Sequence, residues 1–256
     1  MRPLKIILSI AVSGVALSAC SFGQSGGTLG TLQQVAKTCP SGQVAGYGAD
    51  DVSDSGRGNP QLTAQRLHQI RALVTETAVC GGGHLEVVAF SSSEAAFQTL
   101  YDGNVQPVGA TENARLLQVP LIVNEVMKTI TSALPRATKD LPSQGSDIIS
   151  QFYAAAQYAE QLGSSYHLNV EILTDGVSTA GEAITNTSGF TSAAAISLGK
   201  SVPVPSLKGA LVTISGVGQV ATGTPAPTWY VQALTNFYQI ACRRTGAHCT
   251  VVTNPI

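Results

Sequence analysis

The chain has 256 residues, of which 44% are hydrophobic and 11% are charged, enough to bury the core of one domain of about 200 residues. The formal net charge is −1, and removal of residues 1–19, which contain Arg2 and Lys5, leaves 12 basic against 15 acidic residues, a net charge of −3. The sequence has no basic stripe that would neutralise phosphate groups, and this excludes a nucleic-acid-binding function.

The first twenty residues have the pattern of a secretory signal peptide. A basic start precedes an apolar run over 6–17, and the segment closes with Leu17-Ser18-Ala19-Cys20. This ending resembles the bacterial lipobox, in which the cysteine becomes the lipidated first residue of the mature protein. The alternative is an ordinary signal peptide that is cut near Ala19, with Cys20 incidental. The lipobox interpretation predicts a protein held by lipid on the extracytoplasmic face of a bacterial cell membrane.

Three segments follow from this interpretation. Residues 1–19 are a lipoprotein signal peptide, and residues 20–38 are the lipidated Cys20 with a flexible tether, because 21–30 is rich in glycine and serine. Residues 39–256 are then one folded domain.

The first half of that domain predicts two strands and two helices. The segment 44–50 is a strand, although two glycines and a second acid weaken its pattern. Asn59-Pro60 opens a helix that runs to Val79 on an apolar stripe, and a second strand covers 84–90. A tract over 111–134, rich in Leu, Val and Ile, predicts a helix that is broken or kinked at Pro120.

The second half continues the alternation. A helix is expected over 148–162 and a strand over 168–173, and the polar, aperiodic stretch 179–205 reads as a long loop or insertion. A buried strand within 207–218, a helix from Thr228 to Cys242 and a final strand over 249–252 complete the pattern. Strands that alternate with helices indicate an α/β fold with a parallel sheet and helices on both faces.

Turns that carry acids and hydroxyls follow two of these strands and precede one helix. A D-x-S-x-S turn covers 51–55, a G-S-D turn covers 145–147, and a T-D-G turn covers 174–176. Hard divalent cations take oxygen ligands of these kinds. Because ligands of open α/β sheets bind beyond the carboxyl ends of the strands, the turns point to one cation site.

The order of these elements and turns resembles the von Willebrand factor type A (vWA) domain and its metal-ion-dependent adhesion site, in which three such loops meet over one divalent cation. The resemblance covers roughly 43–254 and implies a doubly wound, mostly parallel central sheet flanked by helices on both faces. It also implies a short antiparallel edge strand, and residues 101–108 are the segment expected to form it. Carried over residue by residue, the metal-site residues are Asp51, Ser53, Ser55, Ser146 and Asp175.

The implied cofactor is a divalent cation, Mg²⁺ first and Ca²⁺ or Mn²⁺ as alternatives. The family usually has threonine where this chain has Ser146, which keeps the hydroxyl but loses the methyl group that restricts the rotamer. Among the neighbouring acids, Asp147 is predicted to cap a helix, whereas Asp50 and Asp54 are predicted to be solvated. Trp229 is predicted to lie on the core face of the last helix.

Four cysteines follow Cys20, and export to an oxidising compartment makes disulfides the expected state, although four cysteines allow three pairings. In a doubly wound sheet, Cys39 precedes the first strand and Cys80 follows the first helix, so both lie at the end opposite the metal loops. Cys242 and Cys249 are placed in the same way by the last helix and last strand. The expected pairs are therefore Cys39–Cys80 and Cys242–Cys249.

The resemblance implies a membrane-anchored extracytoplasmic binding module that engages a protein partner through an acidic side chain offered to the metal. One alternative is a metal-dependent envelope hydrolase, and another is a structural envelope lipoprotein with a degenerate, metal-free site. Catalysis is not expected, and no catalytic residue is predicted. The D-S-G triplet over 54–56 is single where aspartic proteases need two, and no G-x-S-x-G nucleophile elbow, which would join a strand to a helix, is predicted.

Overall fold

Six strands form one sheet in the computed structural model, which describes residues 28–93, 95–163, 165–181, 184, 189–220 and 225–253. The strand order is β3-β2-β1-β4-β5-β6, and every neighbouring pair is parallel except the antiparallel β2–β3 pair. This confirms the predicted α/β fold with a mostly parallel sheet. In chain order the elements are α1 (Thr28–Ala36), β1 (Gln43–Asp51), α2 (Pro60–Val79), β2 (His84–Phe90), β3 (Phe97–Asn104), α3 (Glu112–Asp140), α4 (Ser150–Leu162), β4 (Tyr166–Leu173), α5 (Ser192–Ser201), β5 (Leu211–Ser215), α6 (Thr228–Arg244) and β6 (His248–Val252).

The parallel register aligns the strand ends that carry the first and third turns. Asp51 at the end of β1 is level with Phe90 at the end of β2, and Leu173 at the end of β4 is level with Ser215 of β5. The loops that follow these strands therefore leave the sheet at the same edge.

Helices cover both faces of the sheet. One core lies under α1, α2 and α3 and includes Ile70 and Ile130, which are fully buried. The other lies under α4, α5 and α6 and includes Phe152 and Phe237, also fully buried. The sheet is packed between these two cores, so the strand ends that carry the loops are held by buried contacts on both faces.

The two glycines of β1 make room for the neighbouring helix. A β-carbon at Gly46 would lie 2.7 Å from both Leu85 Cδ1 and Thr77 Oγ1, and one at Gly48 would lie 3.3 Å from Leu73 Cδ2. Because α2 packs this closely, the strand with the weakest sequence pattern is nevertheless a buried, central strand of the sheet.

Helix α3 corrects the expectation of a break at Pro120. The helix is continuous over 29 residues and contains both Pro120 and Pro135. Its buried side chains recur at helical spacing, among them Leu116, Val119 and Val123. Proline removes one backbone hydrogen bond, and the packing of this stripe compensates for that loss.

A helix also occupies part of the stretch 179–205 that was expected to be a loop. Helix α5 is capped by Thr191, whose hydroxyl accepts a hydrogen bond from Ala194 N at 3.3 Å. A β-carbon at Gly199 would lie 3.0 Å from Phe237 O, so small residues let α5 pack closely against α6. The small-residue composition that resembled a loop is thus a requirement of helix packing.

Other boundaries differ modestly from expectation. Edge strand β3 is antiparallel as expected but runs from Phe97 to Asn104 instead of over 101–108. The expectation for Trp229 was wrong, because its side chain is 47% exposed at the start of α6. The buried aromatic residues of that helix begin with Tyr230.

Both expected disulfides are present. Cys39 is joined to Cys80 with the α-carbons 5.2 Å apart, and Cys242 is joined to Cys249 with the α-carbons 6.0 Å apart. They tie the ends of α2 and α6 to the chain near the starts of β1 and β6, which is the sheet edge opposite the three turns.

The predicted leader over 1–19 and Cys20 lie outside the described residues. Within the predicted tether, residues 28–36 form α1, which buries Leu32 and contacts α3 through a 2.9 Å hydrogen bond from Gln33 Nε2 to Asn113 Oδ1. None of the helices in the described ranges is long and apolar enough to cross a membrane.

Candidate metal centre

The first turn folds around the carboxylate of Asp51 at the end of β1. Asp51 Oδ1 accepts a hydrogen bond from Ser53 N at 3.0 Å, which is a typical aspartate turn, and Gly56 N then donates to Ser53 O at 2.9 Å. The resulting tight loop brings Ser53 Oγ to 3.1 Å from Ser55 Oγ. Two hydroxyls and one carboxylate are therefore gathered by nearly local interactions.

The second turn places Ser146 against the first. Ser146 Oγ lies 3.0 Å from Asp51 Oδ1, to which it donates, and 2.9 Å from Ser53 Oγ. Two residues of the third loop region orient its backbone: Ser146 N donates to Thr179 Oγ1 at 3.1 Å, and Ser178 Oγ donates to Ser146 O at 3.0 Å.

The third turn supplies Asp175, whose side chain is completely buried. Its Oδ1 accepts a hydrogen bond from Val177 N at 2.9 Å. Its Oδ2 is buried and has no hydrogen-bond partner among the described residues. The preceding Thr174 donates through Oγ1 to Asp51 Oδ2 at 2.8 Å and so joins the third turn to the first.

The charges of the two acids act on each other. Burial, and then the neighbouring charge of Asp51, raise the pKa of Asp175 to about 6. The Ser55 hydroxyl, the Val177 N–H and the more distant Arg66 act in the opposite direction but only partly offset the rise. A cation beside Asp175 would relieve both the desolvation and the repulsion.

The donor set fits a hard divalent cation. Two buried carboxylates and three hydroxyls converge, and one buried carboxylate oxygen has no hydrogen-bond partner among the residues that the structure describes. In the described ranges no group of three or more His, Cys, Asp and Glu side chains could by itself hold a metal ion, so the site depends on the hydroxyls. The residues that would hold the ion are Asp51, Ser53, Ser55, Ser146 and Asp175.

An ion pair that was not anticipated lies directly beneath the first turn. Arg66 of α2 is buried, its Nη1 lies 3.2 Å from Asp50 Oδ1, and the same nitrogen donates to the backbone carbonyl of Asp51. The prediction that Asp50 is solvated was therefore wrong, since this residue is 3% exposed. Burial raises the pKa of Asp50 to about 6 even though the charge of Arg66 lowers it.

The sequence contained a signal for the pair of Arg66 and Asp50. Arg66 lies four residues after Leu62 and four before Ile70, so it stands on the apolar stripe of α2, where an unpaired charge would be very unfavourable.

The predictions for Asp54 and Asp147 agree with the structure. Asp54 is exposed, and Asp147 Oδ1 accepts a hydrogen bond from Ser150 N at 3.1 Å at the start of α4.

Tyrosines of α6 hold the third turn from below. Tyr238 donates to Gly176 O at 2.9 Å, and Tyr230 donates to Ile184 O at 3.2 Å. Both side chains are fully buried, and burial followed by the charge of Asp175 raises the pKa of Tyr230 to about 12. These contacts hold two points of the backbone that follows Asp175.

No model of a known protein family matches this chain, and no curated protein matches its sequence. Among solved structures, proximal thread matrix protein 1 from the mussel byssus is similar in two crystal structures. One is 18% identical over 78% of this chain, with a TM-score of 0.39, and the other is 13% identical over 79%, with a TM-score of 0.35. The human COPII-coat protein Sec24c is 11% identical over 85% of this chain, with a TM-score of 0.40.

This chain spans 48% and 46% of the two mussel chains and 30% of the human one. These distant similarities carry no argument about function, which has to rest on the site itself.

Proposed function

We propose that this protein is an extracytoplasmic binding module of the vWA type, anchored to a bacterial membrane through Cys20, that engages an acidic side chain of a protein partner through a divalent cation. The observation that carries the proposal is the convergence of three loops on Asp51, Ser53, Ser55, Ser146 and Asp175, with Asp175 Oδ2 buried and without a hydrogen-bond partner in the described part of the chain.

The cation, the three serines and the two acids have different roles in this proposal. The bound cation supplies a concentrated positive charge that draws a partner carboxylate out of water. Ser53, Ser55 and Ser146 offer neutral oxygens, which leave more of that charge uncompensated than carboxylates would. Asp51 is held by donors on both of its oxygens, and Asp175 is held by Val177 N, so neither acid needs to reorganise to receive an ion.

A second candidate function is a structural envelope lipoprotein whose site works without metal. The contacts of Ser146 with Asp51 and Ser53 favour it, because they already close the site with hydrogen bonds. The buried Arg66 also supplies a fixed positive charge within range of Asp175. A metal is then unnecessary for the fold.

Partner capture in the presence and absence of metal separates the two functions. Membrane extracts would be passed over immobilised wild-type protein with Mg²⁺, over the same protein with chelator, and over the Asp51→Asn variant with Mg²⁺. The matched control is Asp54→Asn, which neutralises an exposed acid in the same turn. The proposal predicts a partner retained by wild type and by the control in Mg²⁺ and lost in the other two conditions. Equal retention of the partner in all four experiments would contradict the proposal and favour the structural function.

A further inference from the structure

A separate cavity of about 320 Å³ lies between α4 and the strands β1, β2 and β3. None of the five metal-site residues lines it. Its charged lining residue is Glu86 of β2, and aromatic side chains from three elements surround this acid: Tyr47 of β1, Phe97 of β3 and Tyr158 of α4. The volume suits a small side chain or a small organic molecule.

Glu86 carries a negative charge that the described chain does not compensate. Its cross-strand partner in the antiparallel β2–β3 register is Asp102, so two acids stand directly opposite each other. Like charges in this arrangement destabilise a sheet. Burial, and then the charge of Asp102, raise the pKa of Glu86. No lysine or arginine among the described residues pairs with either acid, and His84 lies 3.5 Å from Asp102.

The two tyrosines of the cavity already have hydrogen-bond partners. Tyr47 donates to Gln151 Oε1 at 3.1 Å, and the Tyr158 hydroxyl lies 3.2 Å from His84 Nδ1. These pairs fix the two tyrosine rings in the wall. Phe97 is 48% exposed although it is a large apolar residue on an edge strand. The cavity therefore combines one unpaired carboxylate with ordered and partly exposed aromatic surface.

We infer that this cavity binds an ammonium or guanidinium group on an aliphatic stem, with Glu86 taking the charge and the aromatic rings taking the stem. A cation relieves the repulsion between Glu86 and Asp102, and aromatic rings attract cations through their negative faces. A metal ion is disfavoured, because within the described part of the chain no group of three His, Cys, Asp or Glu side chains has an arrangement that could hold one. An anion would meet two acids. The cation can come from a lysine or arginine side chain of another protein or from a free diamine.

Titration of the purified full chain, followed by amide chemical shifts in NMR, tests this inference with four probes. They are the N-acetyl methylamides of lysine, arginine and norleucine, and 1,5-diaminopentane. The cationic probes should shift resonances of residues in β2 and α4, and norleucine should bind at least about tenfold more weakly. Tighter binding of the amino-acid derivatives than of the diamine identifies a protein side chain as the source, and the reverse order identifies a free amine.

Two variants that each remove one negative charge test whether the probes bind at Glu86. Glu86→Gln should weaken the cationic probes by at least about tenfold. Glu160→Gln, which neutralises an exposed acid of α4 outside the cavity, should bind as wild type does. The melting temperature of Glu86→Gln should not fall, because the substitution removes the like-charge pair, and this shows that the variant is folded. Equal binding of norleucine and lysine derivatives, or equal binding by the two variants, would overturn the inference.

Discussion

Arg66 Nη1 lies 3.2 Å from Asp50 Oδ1, and both side chains are buried beneath the turn that carries the metal-site serines. The same guanidinium group donates to the carbonyl of Asp51, so it ties α2 to the end of β1. A β-carbon at Gly56 would lie 2.6 Å from Arg66 Nη1, which shows how tightly the turn closes over this charge. The ion pair therefore holds the backbone at the start of the first loop in place.

Substitution of Arg66 by Met should destabilise the protein strongly. It leaves Asp50 buried without a partner, and breaking a buried pair in this way costs about 3–5 kcal/mol. The double variant Arg66→Met with Asp50→Asn should recover part of the loss, because Asp50 is then no longer a buried charge without its partner. Denaturant unfolding measures both effects. The matched control is Arg136→Met, which breaks the surface pair with Asp140 and should cost less than about 1 kcal/mol. Equal losses for Arg66→Met and Arg136→Met would contradict this account.

Glu171 should make stability depend on pH. Burial raises its pKa from 4.5 to about 7, Glu76 adds to the rise, and the 2.5 Å hydrogen bond from Ser215 partly opposes it. Because the folded state holds this proton more tightly than the unfolded state, the contribution of Glu171 is fully present below about pH 4.5 and is lost as the pH rises to about 7.

The variant Glu171→Gln removes that dependence. It should be more stable than wild type above pH 7, by up to about 3 kcal/mol, and should converge with wild type near pH 4. Unfolding free energies of both proteins at pH 4, 6 and 8 provide the comparison. A constant difference between the two proteins across this range would show that Glu171 does not titrate in it.

The two disulfides should contribute unequally. Cys39 and Cys80 are 41 residues apart and Cys242 and Cys249 are 7 apart, so in the chain-entropy model the first pair stabilises by about 4 kcal/mol and the second by about 2 kcal/mol. Paired substitutions to alanine, compared by denaturant unfolding, test the order. Recovery of a peptide that links Cys39 to Cys242, in a digest made without reduction, would be incompatible with these pairs.

The lipid anchor is a prediction from the sequence, because Cys20 lies outside the described residues. Cys20→Ala should release the protein from the membrane fraction or leave its precursor uncut, since lipidation with more than one chain is needed for firm anchoring. Cell fractionation and the mass of the mature protein report both outcomes. Unchanged fractionation together with an unchanged mass would refute the lipobox interpretation.

Local chemistry explains which parts of the site could be predicted. Asp51, Ser53 and Ser55 are gathered by a turn that their own hydrogen bonds form, so the five-residue pattern was sufficient to place these three side chains together, although not to predict a site without the two later turns. The order of strands and helices then placed Ser146 and Asp175 at the same sheet edge.

The missed features depend on packing between distant segments. The pair of Arg66 and Asp50 is formed 16 residues apart in the sequence, across a helix–strand interface. Gly199 lets helix α5 lie against α6, a packing partner that no local pattern indicates. Pro120 was given too much weight as a helix breaker, because a buried stripe along α3 outweighs one lost hydrogen bond.

The melting temperature of the purified protein in Mg²⁺ and in chelator tests the central claim most directly. A ligand that binds only the folded state at 100 times its Kd stabilises by about 2.7 kcal/mol, which for a domain of this size raises Tm by about 5–10 °C. Wild type and the exposed-acid control Asp54→Asn should show this rise, and Asp51→Asn should lose it while remaining folded in chelator. Identical melting temperatures of wild type in Mg²⁺ and in chelator would contradict the proposed metal site.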